Sequence, residues 1–130
     1  MLKSDADVTL RGENSYDYAG TTSVYAGDAN GDDISDLLVG AYAAEKSTSM
    51  YSTGEAYLLN GPIATGKYDL SDDNNAMFAG TRNYDYLGYS AAAIGDFNDD
   101  GLGDFIVTAY GHGGTYSYGG AAYMFLGQGW

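Results

Sequence analysis

Short apolar runs alternate with clusters of Gly, Asp and Asn along the whole chain. The runs are residues 8–10, 23–26, 37–42, 56–59, 76–78, 90–94, 105–110 and 121–126. Runs of this length, bounded by turn-forming residues, predict strands. No window carries the 3.6-residue period of an amphipathic helix. The pattern therefore predicts an all-β chain.

The runs also repeat. A shift of 68 residues lays residues 12–42 on 80–110 without a gap, and 13 of the 31 positions are identical. Tyr16-Asp17-Tyr18 falls on Tyr84-Asp85-Tyr86, and Gly27-Asp28 on Gly95-Asp96. Beyond this stretch the offset falls to 66, and residues 54–61 pair with 120–127. Such a match predicts two copies of one unit, about residues 8–61 and 76–127, within a single segment spanning 1–130. Each unit holds about four short strands. A four-stranded antiparallel unit repeated radially is a β-propeller blade. A β-sandwich also has short, regularly spaced strands, but sandwiches seldom repeat their loops so faithfully.

Composition narrows the function classes. Five Lys and Arg stand against 18 Asp and Glu, a formal charge of −13. That balance disfavours nucleic acid, whose phosphates need basic residues, and anionic membrane surfaces. No apolar run reaches the roughly 20 residues of a membrane helix, so no membrane insertion is expected. The start, Met1-Leu2-Lys3-Ser4-Asp5, has no apolar core of a signal peptide. Cysteine is absent, which excludes disulfides, Cys-based zinc sites and Cys nucleophiles.

The acids are not scattered. Asp28, Asn30, Asp32 and Asp36 stand at positions 1, 3, 5 and 9 of one loop, and Asp96, Asn98, Asp100 and Asp104 at the same positions of its repeat. Calcium takes about 6–8 oxygens from carboxylates, amides and backbone carbonyls, and a tight loop can aim alternate side chains at one point. Position 7 adds a carbonyl, here from Ile34 and Leu102, whose apolar side chains are expected to turn into the core. Two Ca2+ sites per chain are predicted. Magnesium, which retains several waters, fits less well. An EF-hand needs a bidentate Glu at position 12, but Val39 and Val107 stand there, inside predicted strands. Gly101 at position 6 favours the second loop over the first, which has Asp33.

These loops, followed by Leu37-Leu38-Val39-Gly40-Ala41-Tyr42 and Phe105-Ile106-Val107-Thr108-Ala109-Tyr110, resemble FG-GAP repeats, the blades of the integrin α-subunit propeller. The family's Phe-Gly element is matched loosely by Ala19-Gly20 and Leu87-Gly88. Its Gly-Ala-Pro element is matched by Gly40-Ala41-Tyr42 and Thr108-Ala109-Tyr110, with Tyr in place of Pro. Its Gly-x-x-Tyr strand is matched by Gly54 with Tyr57 and Gly120 with Tyr123. The resemblance implies a structural role for calcium, a secreted or cell-surface setting, and adhesion or recognition of a protein or carbohydrate ligand by loops on the opposite face. The loops at 43–53 and 111–119, which differ between copies, are the expected ligand surface.

The resemblance further implies that the leading strand of each repeat forms the outer edge of the preceding blade. Residues 8–10 would then lack a blade within their own chain, the last blade would lack its outer strand, and two apolar faces would stay open. Closed propellers hold about 4–8 blades. A head-to-tail homo-oligomer is therefore expected, a trimer giving six blades or a tetramer eight. An excised piece of a longer propeller is the alternative.

Tyr16, Tyr18, Tyr84, Tyr86 and the 112–118 segment suit either blade packing or sugar stacking, so a carbohydrate-binding lectin of the same architecture is the second reading. A propeller-based hydrolase or lyase is the third. The only histidine, His112, has no Ser or Asp constellation near it in sequence. No nucleophile or acid–base set stands out, and no catalytic residue is assigned. Arg11-Gly12-Glu13 has Glu where an adhesion tripeptide has Asp, and is taken as chance.

Overall fold

A computed structural model of the chain describes residues 6–113 and 117–130. The Met1–Asp5 start lies outside the described residues, as do Gly114, Thr115 and Tyr116 of the 112–118 segment. In chain order the elements are β1 (Val8–Arg11), β2 (Ala19–Gly27), β3 (Asp36–Ala41), β4 (Glu55–Leu59), β5 (Gly66–Asp69), α1 (Leu70–Asp73), β6 (Ala76–Ala79), β7 (Leu87–Gly95), β8 (Asp104–Ala109) and β9 (Ala121–Phe125). Each apolar run of the sequence lies in or overlaps a strand. Among the described residues no helix is long and apolar enough to cross a membrane.

Two antiparallel sheets dominate. The first has the order β2-β3-β4-β6 and the second β7-β8-β9. Strand β6 leads the second repeat in sequence, yet it completes the first sheet, pairing Ala56 with Phe78 and Leu58 with Ala76. The two sheets stack face to face. Leu38, Ala56 and Leu58 of the first sheet share one core with Phe105, Val107 and Ala109 of the second, and Phe78, Phe125 and Trp130 pack around it. These strand residues alternate with others that point to the opposite face, the period-2 pattern of a pleated strand.

The first sheet is packed on both faces. Its other side holds Val39, Ala41, Tyr57 and Leu59, covered by Leu70 of α1 together with Leu10 of β1 and Ile63. This corrects two expectations. Residues 8–10 do have a partner within the chain, because β1 pairs in parallel with β5, Val8 opposite Gly66 and Leu10 opposite Tyr68. Among the described residues only one of the two apolar faces is left open, because β1 and the β5–α1 segment close the other. The open face belongs to the second sheet. There Ile106 and Met124 face each other across the β8–β9 ladder, and Met124 is 44% exposed. This sheet has three strands, and the far edge of β9 pairs with no strand among the described residues.

Candidate metal centre and aromatic face

The two acidic loops span the β2–β3 and β7–β8 turns, and a common set of hydrogen bonds shapes both, to which the first loop adds Gly31 N–H to Asp28 and Asp32 N–H to Asn30. Asp28 accepts the N–H of Asp32 on Oδ1 (3.0 Å) and that of Asp33 on Oδ2 (2.9 Å); Asp96 accepts those of Asp100 (2.9 Å) and Gly101 (2.8 Å). Asp32 accepts the Ile34 N–H and Asp100 the Leu102 N–H, each at 2.9 Å. The ninth position anchors each loop to its sheet. Asp36 accepts the Ala29 and Gly61 N–H groups, and Asp104 those of Phe97 and Gly127. Both of these carboxylates are buried, Asp104 fully.

Left-handed backbone closes the turns. Position 4 is Gly31 (φ 83°) in the first loop and Asp99 (φ 60°) in the second, and position 6 is Asp33 (φ 64°) and Gly101 (φ 89°). Each loop thus holds one glycine and one aspartate in a conformation that disfavours side chains. Strain therefore does not rank the second loop above the first, contrary to the reading of position 6 alone.

Asp28, Asn30, Asp32 and Asp36, with Asp96, Asn98, Asp100 and Asp104, offer oxygen donors only, the kind a hard cation takes. Every carboxylate oxygen in this hydrogen-bond set except Asp28 Oδ1 accepts a single N–H and keeps a further lone pair. The donor set fits calcium in kind. Among the described residues, no three Asp, Glu or His side chains are gathered into a metal cluster. The carboxylates instead turn to the N–H groups of their own loops, and Asn30 and Asn98 donate their amide N–H to Asp32 (3.1 Å) and Asp100 (2.8 Å). The side chains of the position-7 residues do not enter the core as expected. Ile34 is 39% exposed and lies against Gly61, because the loop runs along the rim of the sheet. Leu102 is half-buried beside Gly31 and Gly127.

The opposite ends of the strands carry a row of tyrosines. Tyr18 stacks on Tyr42 with ring centres 5.5 Å apart, and the repeat-equivalent Tyr86 stacks on Tyr110 at 4.9 Å. Tyr42 also meets Tyr86 at 6.0 Å, which joins the two stacks across the sheets. Tyr16, Tyr18, Tyr84 and Tyr86 all have φ between 55° and 69°. Between each Tyr-Asp-Tyr pair a buried aspartate holds its turn: Asp17 accepts the Asn14 N–H, and Asp85 those of Thr81 and Arg82. Two repeat-equivalent clefts result. One, of about 270 Å³, is lined by Tyr16, Asp17, Tyr18 and Glu45; the other, of about 240 Å³, by Tyr84, Asp85, Gly111 and Tyr118.

Sequence reasoning missed the polar groups beneath this face. His112 does have an aspartate beside it, since its Nδ1 lies 3.0 Å from Asp85 Oδ1, with the Tyr123 hydroxyl at 3.4 Å. In the first repeat Glu55 takes up this region and accepts a hydrogen bond from the Tyr57 hydroxyl. Burial raises the Glu55 carboxyl above the usual range against the lowering effect of that bond, and the charges of Asp17 and Glu13 add to the rise. Burial also pushes the Tyr57 phenol well up.

Among curated proteins the chain is similar to human integrin alpha-IIb, with 38% identity over 125 residues. It is likewise 38% identical to mouse integrin alpha-IIb over 122 residues. Each match takes in 92% of this chain and 11% of the integrin, so the chain spans about a tenth of the length of these relatives. No protein-family model matches the chain. The similarity to a segment of integrin alpha-IIb is consistent with the FG-GAP region of an integrin α subunit.

Proposed function

We propose that this chain is a non-enzymatic, calcium-binding module of two integrin-like propeller blades that serves adhesion or ligand recognition outside the cell. The repeated hydrogen-bond pattern of the two loops carries this reading. It pre-shapes the backbone around Asp28, Asn30, Asp32 and Asp36, and around Asp96, Asn98, Asp100 and Asp104, with the Ile34 and Leu102 carbonyls as further donors. Calcium supplies a doubly positive centre that offsets the repulsion of three carboxylates per loop. The stacking of two antiparallel sheets, the first completed by the leading strand of the second repeat, supports the blade assignment. Assembly with further copies, head to tail as a trimer or tetramer, would cover the open face of the second sheet and requires β1 and the β5–α1 segment to leave the face of the first sheet that they close.

Calorimetric titration with calcium, and with magnesium as control, tests the metal. Two calcium ions per chain, with a melting temperature that falls in excess chelator, support the proposal. No calcium uptake at millimolar concentration would sink it.

The paired clefts flanked by tyrosines and buried aspartates favour a second reading, a carbohydrate-binding lectin of the same architecture. Planar aromatics with neighbouring hydrogen-bonding groups suit sugar rings. A glycan array at constant calcium decides between the two.

A further inference from the structure

We propose that the first repeat holds a binding site for a small organic cation with N–H donors, a primary ammonium or an imidazolium, at the buried carboxylates of Asp17 and Glu55. It deepens the recognition reading above, by naming a ligand chemistry, and rests on it.

The second repeat shows what a buried aspartate at this place requires. Asp85 is 2% exposed, and both its oxygens are partnered. Oδ2 accepts the Thr81 and Arg82 N–H groups, and Oδ1 lies 3.0 Å from His112 Nδ1. A carboxylate only accepts, so that ring nitrogen carries the proton. The Arg82 guanidinium crosses the same turn and donates to the Gly113 carbonyl.

The first repeat keeps the backbone and lacks these donors. The Ala43 N–H donates to the Asp17 carbonyl as the Gly111 N–H does to that of Asp85. The Ala44 and His112 N–H groups reach the Ala41 and Ala109 carbonyls, each at 3.1 Å, and the Ala44 and His112 carbonyls accept the Gly54 and Gly120 N–H groups. Ala44 therefore stands where His112 stands, and the repeat shift places Asn14 on Arg82. Acids appear at the same time. Glu13, Glu45 and Glu55 take the places of Thr81, Gly113 and Ala121. Both basic groups of the second repeat are gone, and three carboxylates have been added.

Two of the carboxylates here are short of donors. Asp17 is 4% exposed and Glu55 7%. Asp17 Oδ2 accepts the Asn14 N–H and Glu55 Oε2 the Tyr57 hydroxyl, but Asp17 Oδ1 and Glu55 Oε1 have no partner among the described residues. Burial, with the charges of Asp17 and Glu13, raises the Glu55 carboxyl, and the Tyr57 bond and the Lys46 charge do not offset the rise. A buried charge without a partner is costly. A cation with N–H groups supplies both the opposite charge and the missing donors.

Both side chains can be reached from outside. Glu55 lines an open cleft of about 720 Å³ with Glu13, Glu45 and Asp72, and among the described residues Lys46 is the only basic one on its wall. Asp17 lines the adjoining cleft with Tyr16 and Tyr18, and Asn14 and Glu45 border both. Tyrosine faces attract organic cations in particular.

Amide NMR titrations at constant ionic strength and saturating calcium test the site. The probes are methylammonium and imidazolium, with tetramethylammonium, which has the charge but no N–H, as control. Methylammonium and imidazolium should compete for one site and shift the signals around Asp17 and Glu55. Tetramethylammonium should bind roughly tenfold or more weakly, as expected for one lost charge-assisted hydrogen bond. A44H/E55A gives the first repeat the groups of the second and should abolish binding. E55Q, which keeps the shape of Glu55, should weaken it by roughly tenfold or more. H112A/A121E makes the opposite exchange and should add a second site around Asp85. Equal binding of tetramethylammonium, or unchanged binding in E55Q, would overturn the proposal. A chain that takes up calcium but no methylammonium would overturn this site and leave the calcium-binding module standing, whereas failure of both would overturn both.

Discussion

The Gly103 N–H donates to the Asp28 carbonyl at 2.7 Å, so the last turn of the second acidic loop is tied to the first residue of the other. The Gln128 N–H adds a second tie from the C-terminal segment to Ala29, at 2.8 Å. Ordering one loop therefore restricts the other. Under the calcium reading, D96A/D100A should remove one of two binding events and weaken the remaining one by roughly fivefold or more, the lower end of usual coupling between sites. Titration of the variant against the parent checks this, and unchanged affinity at the first loop would show the loops to be independent.

Asp104 and Asp100 sit in the same loop but should behave differently. Asp104 is fully buried and accepts the Phe97 and Gly127 N–H groups, both at 2.7 Å. D104A would leave two inward-facing donors without an acceptor, at a cost of about 2–5 kcal/mol. That loss should already appear in chelator, and in calcium the loss of a ligand should add to it. Asp100 is exposed, so D100A should lower the melting temperature chiefly in calcium. Parallel thermal melts in both buffers separate the structural from the ligand role.

Glu55 should make stability depend on pH. Its folded-state carboxyl is raised by burial and by Asp17 and Glu13, and lowered by the Tyr57 hydroxyl and Lys46. A raised carboxyl binds its proton more firmly when folded, so stability falls as pH climbs above the ordinary glutamate range. E55Q retains an acceptor for Tyr57 and removes the charge. It should raise the melting temperature at neutral pH by roughly a few degrees, and the gain should vanish below about pH 4.

The tyrosine row should contribute unevenly. Tyr86 contacts Tyr42, Tyr84 and Tyr110, and Y86A should cost roughly 1–3 kcal/mol from lost stacking and burial. Tyr16 is 80% exposed with one distant neighbour at 6.5 Å, and Y16A should cost less than about 0.5 kcal/mol. Denaturant melts of the two variants give the comparison.

Much of this was legible in the chain because the repeat doubles every signal. Val39 and Val107, or Asp36 and Asp104, each predict the other's setting, and the paired loops adopt the same turns. The segment from Pro62 to Asn75 has no copy to compare. Leu70 is an isolated apolar residue between Asp69 and Ser71-Asp72-Asp73, and only the sheet face beneath it turns this stretch into a strand and a helical turn. β1 was legible as a strand but not in its pairing, since Val8 and Leu10 suit either β5 or an open edge. Asp85 and His112 lie 27 residues apart, and Glu55 falls opposite Ala121 in the repeat, so neither polar cluster leaves a mark in local sequence.

Trp130 is the only tryptophan among 14 tyrosines, and its ring meets Phe78 edge-on at 5.4 Å, beside the core shared by the sheets. Its carbonyl accepts the Asn60 side-chain N–H, while its indole N–H finds no acceptor among the described residues. The protein therefore carries a built-in optical reporter. Light absorbed by the tyrosines and re-emitted by this one indole would register, without any label, whether the C-terminal segment is seated against the first sheet.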